Sequence, residues 1–215
     1  MWNIMKKNMN HFVLYFVFAN GLIGILKLIT GNELSTVFVI IAGILVLLLA
    51  FGATFTNEQY EEKNNGYMFL DTLPVTAREI VEGKFTLVLV TVGLCVGFLL
   101  ILITLSAGSP EAIVLARSYV LFMGVVCLLL AGVNYIGIFA LGFTKYLIVV
   151  AVGWLTLGFV PTIILRTYKG RMDIFKETIV HFFTGVHWLV VIPLSLVAYF
   201  VLMLIAAKVR HTRSP

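Results

Sequence analysis

Six stretches of this chain are apolar for long enough to cross a bilayer, and the charged residues fall almost entirely between them. They run about His11–Thr30, Ser35–Thr56, Phe85–Leu105, Tyr119–Phe143, Tyr146–Leu165 and Trp188–Ala207. A crossing takes roughly 20 apolar residues. Inside hydrocarbon every backbone polar group must be satisfied within the segment, so runs of this length are helices. In a chain of 215 residues, six such spans and their loops use nearly the whole sequence. The residues are 61% hydrophobic and 12% charged, against about 25% charged in a soluble domain. These proportions exclude a water-soluble enzyme, a disordered tail and a nucleic-acid-binding domain. The reading is an all-α polytopic membrane protein with six transmembrane helices in one domain, 1–215.

Finer features follow from that frame. Lys6 and Lys7 precede the first run as in a signal peptide, but the run is long enough to span and no A-x-A-like site follows it, so a retained first span is expected. Pro161 and Pro193 fall inside the fifth and sixth spans, where kinks are tolerated if neighbouring groups satisfy the freed carbonyls. With both termini on one side, that side holds Lys6, Lys7, Lys63, Arg78, Lys84, Lys145, Lys208, Arg210 and Arg213. The other holds Lys27, Arg117, Arg166, Lys169, Arg171 and Lys176. Positive charge favours the cytoplasm, so both termini are expected inside. Cys95 and Cys127 each lie in an apolar run and read as buried small hydrophobes, not as a disulfide or a metal pair.

The chemistry of an enzyme is missing. Ionisable groups within spans are costly and mark function, and every Asp and Glu here lies outside the six runs. Glu61 and Glu62 resemble the paired glutamates of an intramembrane protease, but they stand in a polar loop with no basic or His partner at helical spacing. His11, His181, His187 and His211 have no ligand cluster around them, and no H-E-x-x-H or phosphate-loop motif occurs. No metal and no cofactor is expected in this chain. Asn20 and Asn134 are the notable polar residues inside spans, read either as interhelical hydrogen bonders or as contacts along a transport pathway.

The informative segment is the loop 57–84. Thr76 and Glu79 form a T-x-x-E capping box just after Pro74, which starts a helix by satisfying its free amides. Arg78 and Glu82 make an i,i+4 pair on one face while Ile80 and Val81 turn the other way. The expected product is a short rigid helix continuing through Gly83 and Lys84 into span three. From the residues alone it is either a lever that passes a push from a cytoplasmic partner into the spans, or an amphipathic loop helix resting on lipid.

Leu73-Pro74-Val75-Thr76-Ala77-Arg78-Glu79-Ile80-Val81-Glu82-Gly83-Lys84 resembles the LPVxxxEIVxGK-type segment of ABC-2-type permeases, the membrane subunits of bacterial ABC exporters. In size and loop style the chain is most similar to the small permeases of phenol-soluble-modulin exporters. The resemblance implies that the segment between spans two and three is a coupling helix docking into a separate ATPase subunit. Pro74, Thr76, Arg78, Glu79, Ile80 and Lys84 would then sit at or beside that contact, with Ala77 where a second basic residue is common.

It implies further a non-catalytic permease, two ATPase copies that bind ATP and Mg, and pairing with a second copy or a related permease. Its place would be the bacterial cell membrane. Its expected cargo is amphipathic or lipophilic, a peptide first, taken from the membrane lipid. Trp2, Ile4, Met5 and Met9 fit an interfacial helix before span one. Met172, Phe175, Ile179, Phe182 and Phe183 fit an external amphipathic helix between spans five and six. Gly93-x-x-x-Gly97 suits close helix approach, including a contact with a second copy. The rival reading is a non-transporting scaffold or sensor that recruits a cytoplasmic partner through 57–84.

Overall fold

The computed structural model describes residues 52, 55, 58–59, 61–63, 76–105, 109–153 and 185–212. The first two expected spans (apart from Gly52 and Phe55), most of the fifth, the N-terminal interfacial helix and the external amphipathic helix lie outside these residues, as do Pro74 and Asn20. Among the described residues all regular structure is helical: α1 Ala77–Thr104, α2 Pro110–Leu141, the shorter α3 Phe143–Gly153, and α4 Trp188–His211. By length and composition α1, α2 and α4 can each cross a membrane.

α1 has 28 residues, about 42 Å at a rise of 1.5 Å per residue, against a hydrocarbon core of roughly 30 Å. The excess lies at its polar start. Residues 77–84 form two turns ahead of the apolar run that opens at Phe85, so one unbroken rod carries the loop motif into the span. α2 begins at Pro110, well before the start near Tyr119 expected from hydropathy. The reason is local: Ser109 caps the helix by accepting from the Ala112 amide at 3.2 Å, Pro110 opens the first turn, and Glu111 suits its positive end. Those polar residues are invisible to an apolar-run criterion.

α2 and α3 are separated by Gly142 alone, whose φ of 83° and ψ of 156° belong to a region nearly exclusive to glycine. The chain folds back there, so that Tyr146 lies against Gly137, where an added Cβ would come within 2.1 Å of the tyrosine ring. Pro193 sits inside α4 without ending it.

α1 runs antiparallel to both α2 and α4. At one end Arg117 of α2 donates to Thr104 Oγ1 at 3.1 Å, and Trp188 Nε1 of α4 donates to Ser118 Oγ at 3.0 Å. At the other end Lys84, Phe139 and Arg210 come together. The buried stripe of α1 is Val81, Phe85, Val88, Val92, Cys95, Leu99 and Ile103, a three-and-four spacing that keeps one face on its neighbours. It meets Val120, Cys127, Ala131, Tyr135 and Ile138 of α2, and Tyr199 and Ala206 of α4. The opposite faces expose Leu94, Ile101, Val133, Leu194, Val197 and Phe200, as a lipid-facing surface should.

Apolar contact gains little over lipid, so close approach has to come from small residues. Gly132 supplies it: a Cβ there would stand 2.9 Å from Leu202. Gly124 does the same against Val96 at 2.7 Å. Around Gly93 and Gly97 an added Cβ meets nothing within 4 Å, so that pair brings no two described helices together. Cys95 and Cys127 are free, buried thiols.

Candidate functional site

The first turn of α1 carries the capping box that the sequence signals. Glu79 N–H donates to Thr76 Oγ1 at 3.2 Å, and the Thr76 amide donates back to Glu79 Oε2 at 2.8 Å. The Thr76 hydroxyl also donates to the same carboxylate at 2.9 Å. The reciprocal bonds fix the start of the rod and leave little freedom to fray. One turn on, Arg78 Nε donates to Glu82 Oε1 at 2.6 Å. The Arg78 side chain is 66% exposed, and such surface pairs add little stability. Its guanidinium is therefore available to a partner at small cost.

Other members of the predicted set are placed differently. Ile80 and Val81 are buried at 1% and 0% exposure, and Val81 joins the core shared with α2 and α4. Lys84 is only 1% exposed. Within this chain it is no surface residue; it stands beside the exposed turn formed by Thr76, Arg78 and Glu79. Asn134 accepts a hydrogen bond from the Tyr146 hydroxyl, which ties α2 to α3 in the interhelical manner, while its Nδ2 has no partner among the described residues.

What sequence reading missed is the company Lys84 keeps. Its ammonium donates to Glu58 and to Glu61, the latter at 2.7 Å. Both carboxylates are buried, Glu58 completely. Glu61 and Glu62 have no basic partner at helical spacing, as expected, but Glu61 gains one from a distant part of the chain. Residues 58–59 and 61–63 are helical, and the partner comes from 23 residues further along the chain. Glu62 remains exposed and accepts from the Thr144 hydroxyl at 2.8 Å.

Glu58 lies beyond the apolar run that ends at Thr56. Burial drives its carboxyl above the usual carboxylate range, against the opposing pull of Lys84. Among the described residues no cluster of His, Cys, Asp or Glu is arranged to hold a metal.

Among the described residues the structure is a bundle of membrane-length helices, with a capped and partly exposed turn continuous with one of them. The comparison with known families gives the class. Residues 3–210 match the family described as ABC-2 family transporter protein, and the chain belongs to that family. It is thus a multi-pass membrane permease subunit of an ABC transporter, associating with an ABC ATPase. No curated protein gives a significant match, and no solved structure does.

Proposed function

We propose that the chain is the permease of an exporter that moves an amphipathic or hydrophobic cargo, most readily a peptide, out of a bacterial cell. Two copies, or one copy and a related permease, enclose the pathway, and two ATPase subunits supply ATP and Mg. Both termini face the cytoplasm, which puts the Thr76 end of α1 on the side of the ATPase.

The observation that carries the reading is the continuity of the capped turn with the spanning rod. A force on Arg78 and Glu79 acts on a helix that cannot bend at a loop, because no loop intervenes before Thr104. Closure of the ATPase pair on ATP then tilts α1 and with it the helices packed on its buried stripe. The lipid-facing apolar surface and the absence of charge along the middle of α1, α2 and α4 favour cargo with a large apolar face over a small ion. Thr76, Arg78 and Glu79 make the contact, with Pro74 leading into it. Ile80 and Lys84 hold the turn from beneath.

The test is gentle purification of the tagged protein from native membranes, with mass spectrometry of what accompanies it. An ATPase subunit at one-to-one, whose hydrolysis responds to amphipathic helical peptides, supports the exporter. A preparation without any nucleotide-binding chain after mild crosslinking favours a scaffold or sensor acting through 57–84.

A further inference from the structure

Beneath the exposed turn lies a group of charges that the capping box does not require. Lys84 bonds Glu58 and Glu61, and its Nζ stands 5.5 Å from the centroid of the Phe139 ring. The Arg210 guanidinium, near the end of α4, stands 5.5 Å from that same centroid. All four charged residues are buried, Arg210 being the most exposed at 8%. Residues from the 58–61 turn, the start of α1 and the end of α4 therefore meet around one ring of α2, two cations with two carboxylates.

Stability is a poor reason for such an arrangement. Taking charges out of water costs about as much as their attraction returns, and apolar residues of like volume often do as well. Geometry is what the charges supply. The Lys84 ammonium has three donors, and two of them are used only while both carboxylates hold their places. Sliding α1 past the 58–61 turn would separate buried opposite charges, whereas moving all the segments together separates none.

We propose that Lys84, Glu58, Glu61 and Arg210 form a buried joint that makes the start of α1, the 58–61 turn and the end of α4 move as one body, so that these four are positioning residues for transmission of the ATPase stroke. The inference rests on the reading of the Thr76–Glu79 turn as the ATPase contact. Within the joint Glu61 is the member held less fully, since its Oε1 has no hydrogen-bond partner among the described residues. Glu61→Gln keeps the shape and removes one charge, and is the mildest way to loosen it.

The test uses the complex with its co-purified ATPase in lipid nanodiscs, with Cys95 and Cys127 changed to Ala. Spin labels are placed on cysteines at the exposed positions Lys63 and Thr212. With the joint intact, the label-to-label distance distribution is narrow and is unchanged by ATP, Mg and vanadate. Glu61→Gln broadens it and makes it nucleotide-dependent, and Lys84→Met/Glu61→Gln, which leaves Glu58 opposite Arg210, does so further. Glu61→Gln retains the ATPase. If the double variant does not fold, Glu61→Gln decides alone. A distribution in Glu61→Gln as narrow and as indifferent to nucleotide as the parent's overturns the joint. Arg78→Glu is the control: ATPase loss with it upholds the contact reading even where the joint fails, whereas full retention removes that reading.

Discussion

The Tyr199 hydroxyl donates to the backbone carbonyl of Phe85 across 2.9 Å, fastening α4 to α1 where the apolar part of the first rod begins. The two rings lie 5.0 Å apart between centroids, and Phe85 also meets Tyr135 of α2 at 5.3 Å. One residue thus ties three helices through its ring, while its carbonyl takes a second bond. Tyr199→Phe should keep the ring contacts and lose only the hydrogen bond, at a cost of roughly 0.6 kcal/mol as interhelical bonds in membranes average. Tyr199→Ala should cost roughly 3–5 kcal/mol through the cavity it leaves. Thermal unfolding of the detergent-purified protein separates the two, and equal losses would show that the ring contributes little.

The capped turn yields a second expectation. Thr76→Ala removes the side-chain oxygen that accepts from the Glu79 amide, a change worth about 0.5–2 kcal/mol at helix starts. The rod beyond Glu82 has its own packing, so global stability should fall little while the first turn frays. ATPase retention on purification should fall, and Thr76→Ser, which restores the acceptor, should recover it. Retention unaffected by Thr76→Ala would show that order in this turn is not needed for the contact.

How much of this was legible in the sequence depended on distance along the chain. The capping box and the Arg78–Glu82 pair involve residues three or four apart, and helix geometry alone fixes them. The membrane-length helices were legible from apolar runs, though the polar start of α2 at Ser109 and Pro110 was not. The Lys84 pairing was hidden because its partners lie 23 and 26 residues away, and two glutamates in a charged stretch look solvated until a helix folds over them. Small residues showed the same limit. Among the described residues α1 and α4 close on α2 at Gly124 and Gly132, neither of which has the spacing of a contact motif.

The tight turn between α2 and α3 gives a third prediction. At Gly137 an added methyl would fall 2.1 Å from Tyr146 Cε2 and 2.5 Å from Cδ2, and the ring is held in place by its bond to Asn134. Gly137→Ala should therefore cost roughly 1–3 kcal/mol by overpacking. Replacing Tyr146 by Leu in the same chain should recover part of the loss by vacating the space. At Gly142 the obstacle is the backbone, since nothing lies within 4 Å of an added Cβ while φ is 83°. Gly142→Ala should cost about 1–3 kcal/mol, and no second substitution nearby should restore it. Unfolding midpoints of the three variants distinguish a crowded site from a strained one.

Buried charge gives the last prediction, and its sign is the informative part. Lys84→Met alone leaves Glu58 and Glu61 facing each other without the ammonium that holds them. Breaking a buried pair from one side costs about 3–5 kcal/mol, because the remaining charge stays buried. Removing both charges of a pair costs far less. Lys84→Met/Glu61→Gln should accordingly be more stable than Lys84→Met, although it carries one substitution more. Thermal unfolding of the purified single and double variants, with the parent as reference, reads the difference directly. A double variant less stable than the single would mean that Glu61 stabilises the fold by some contact other than Lys84.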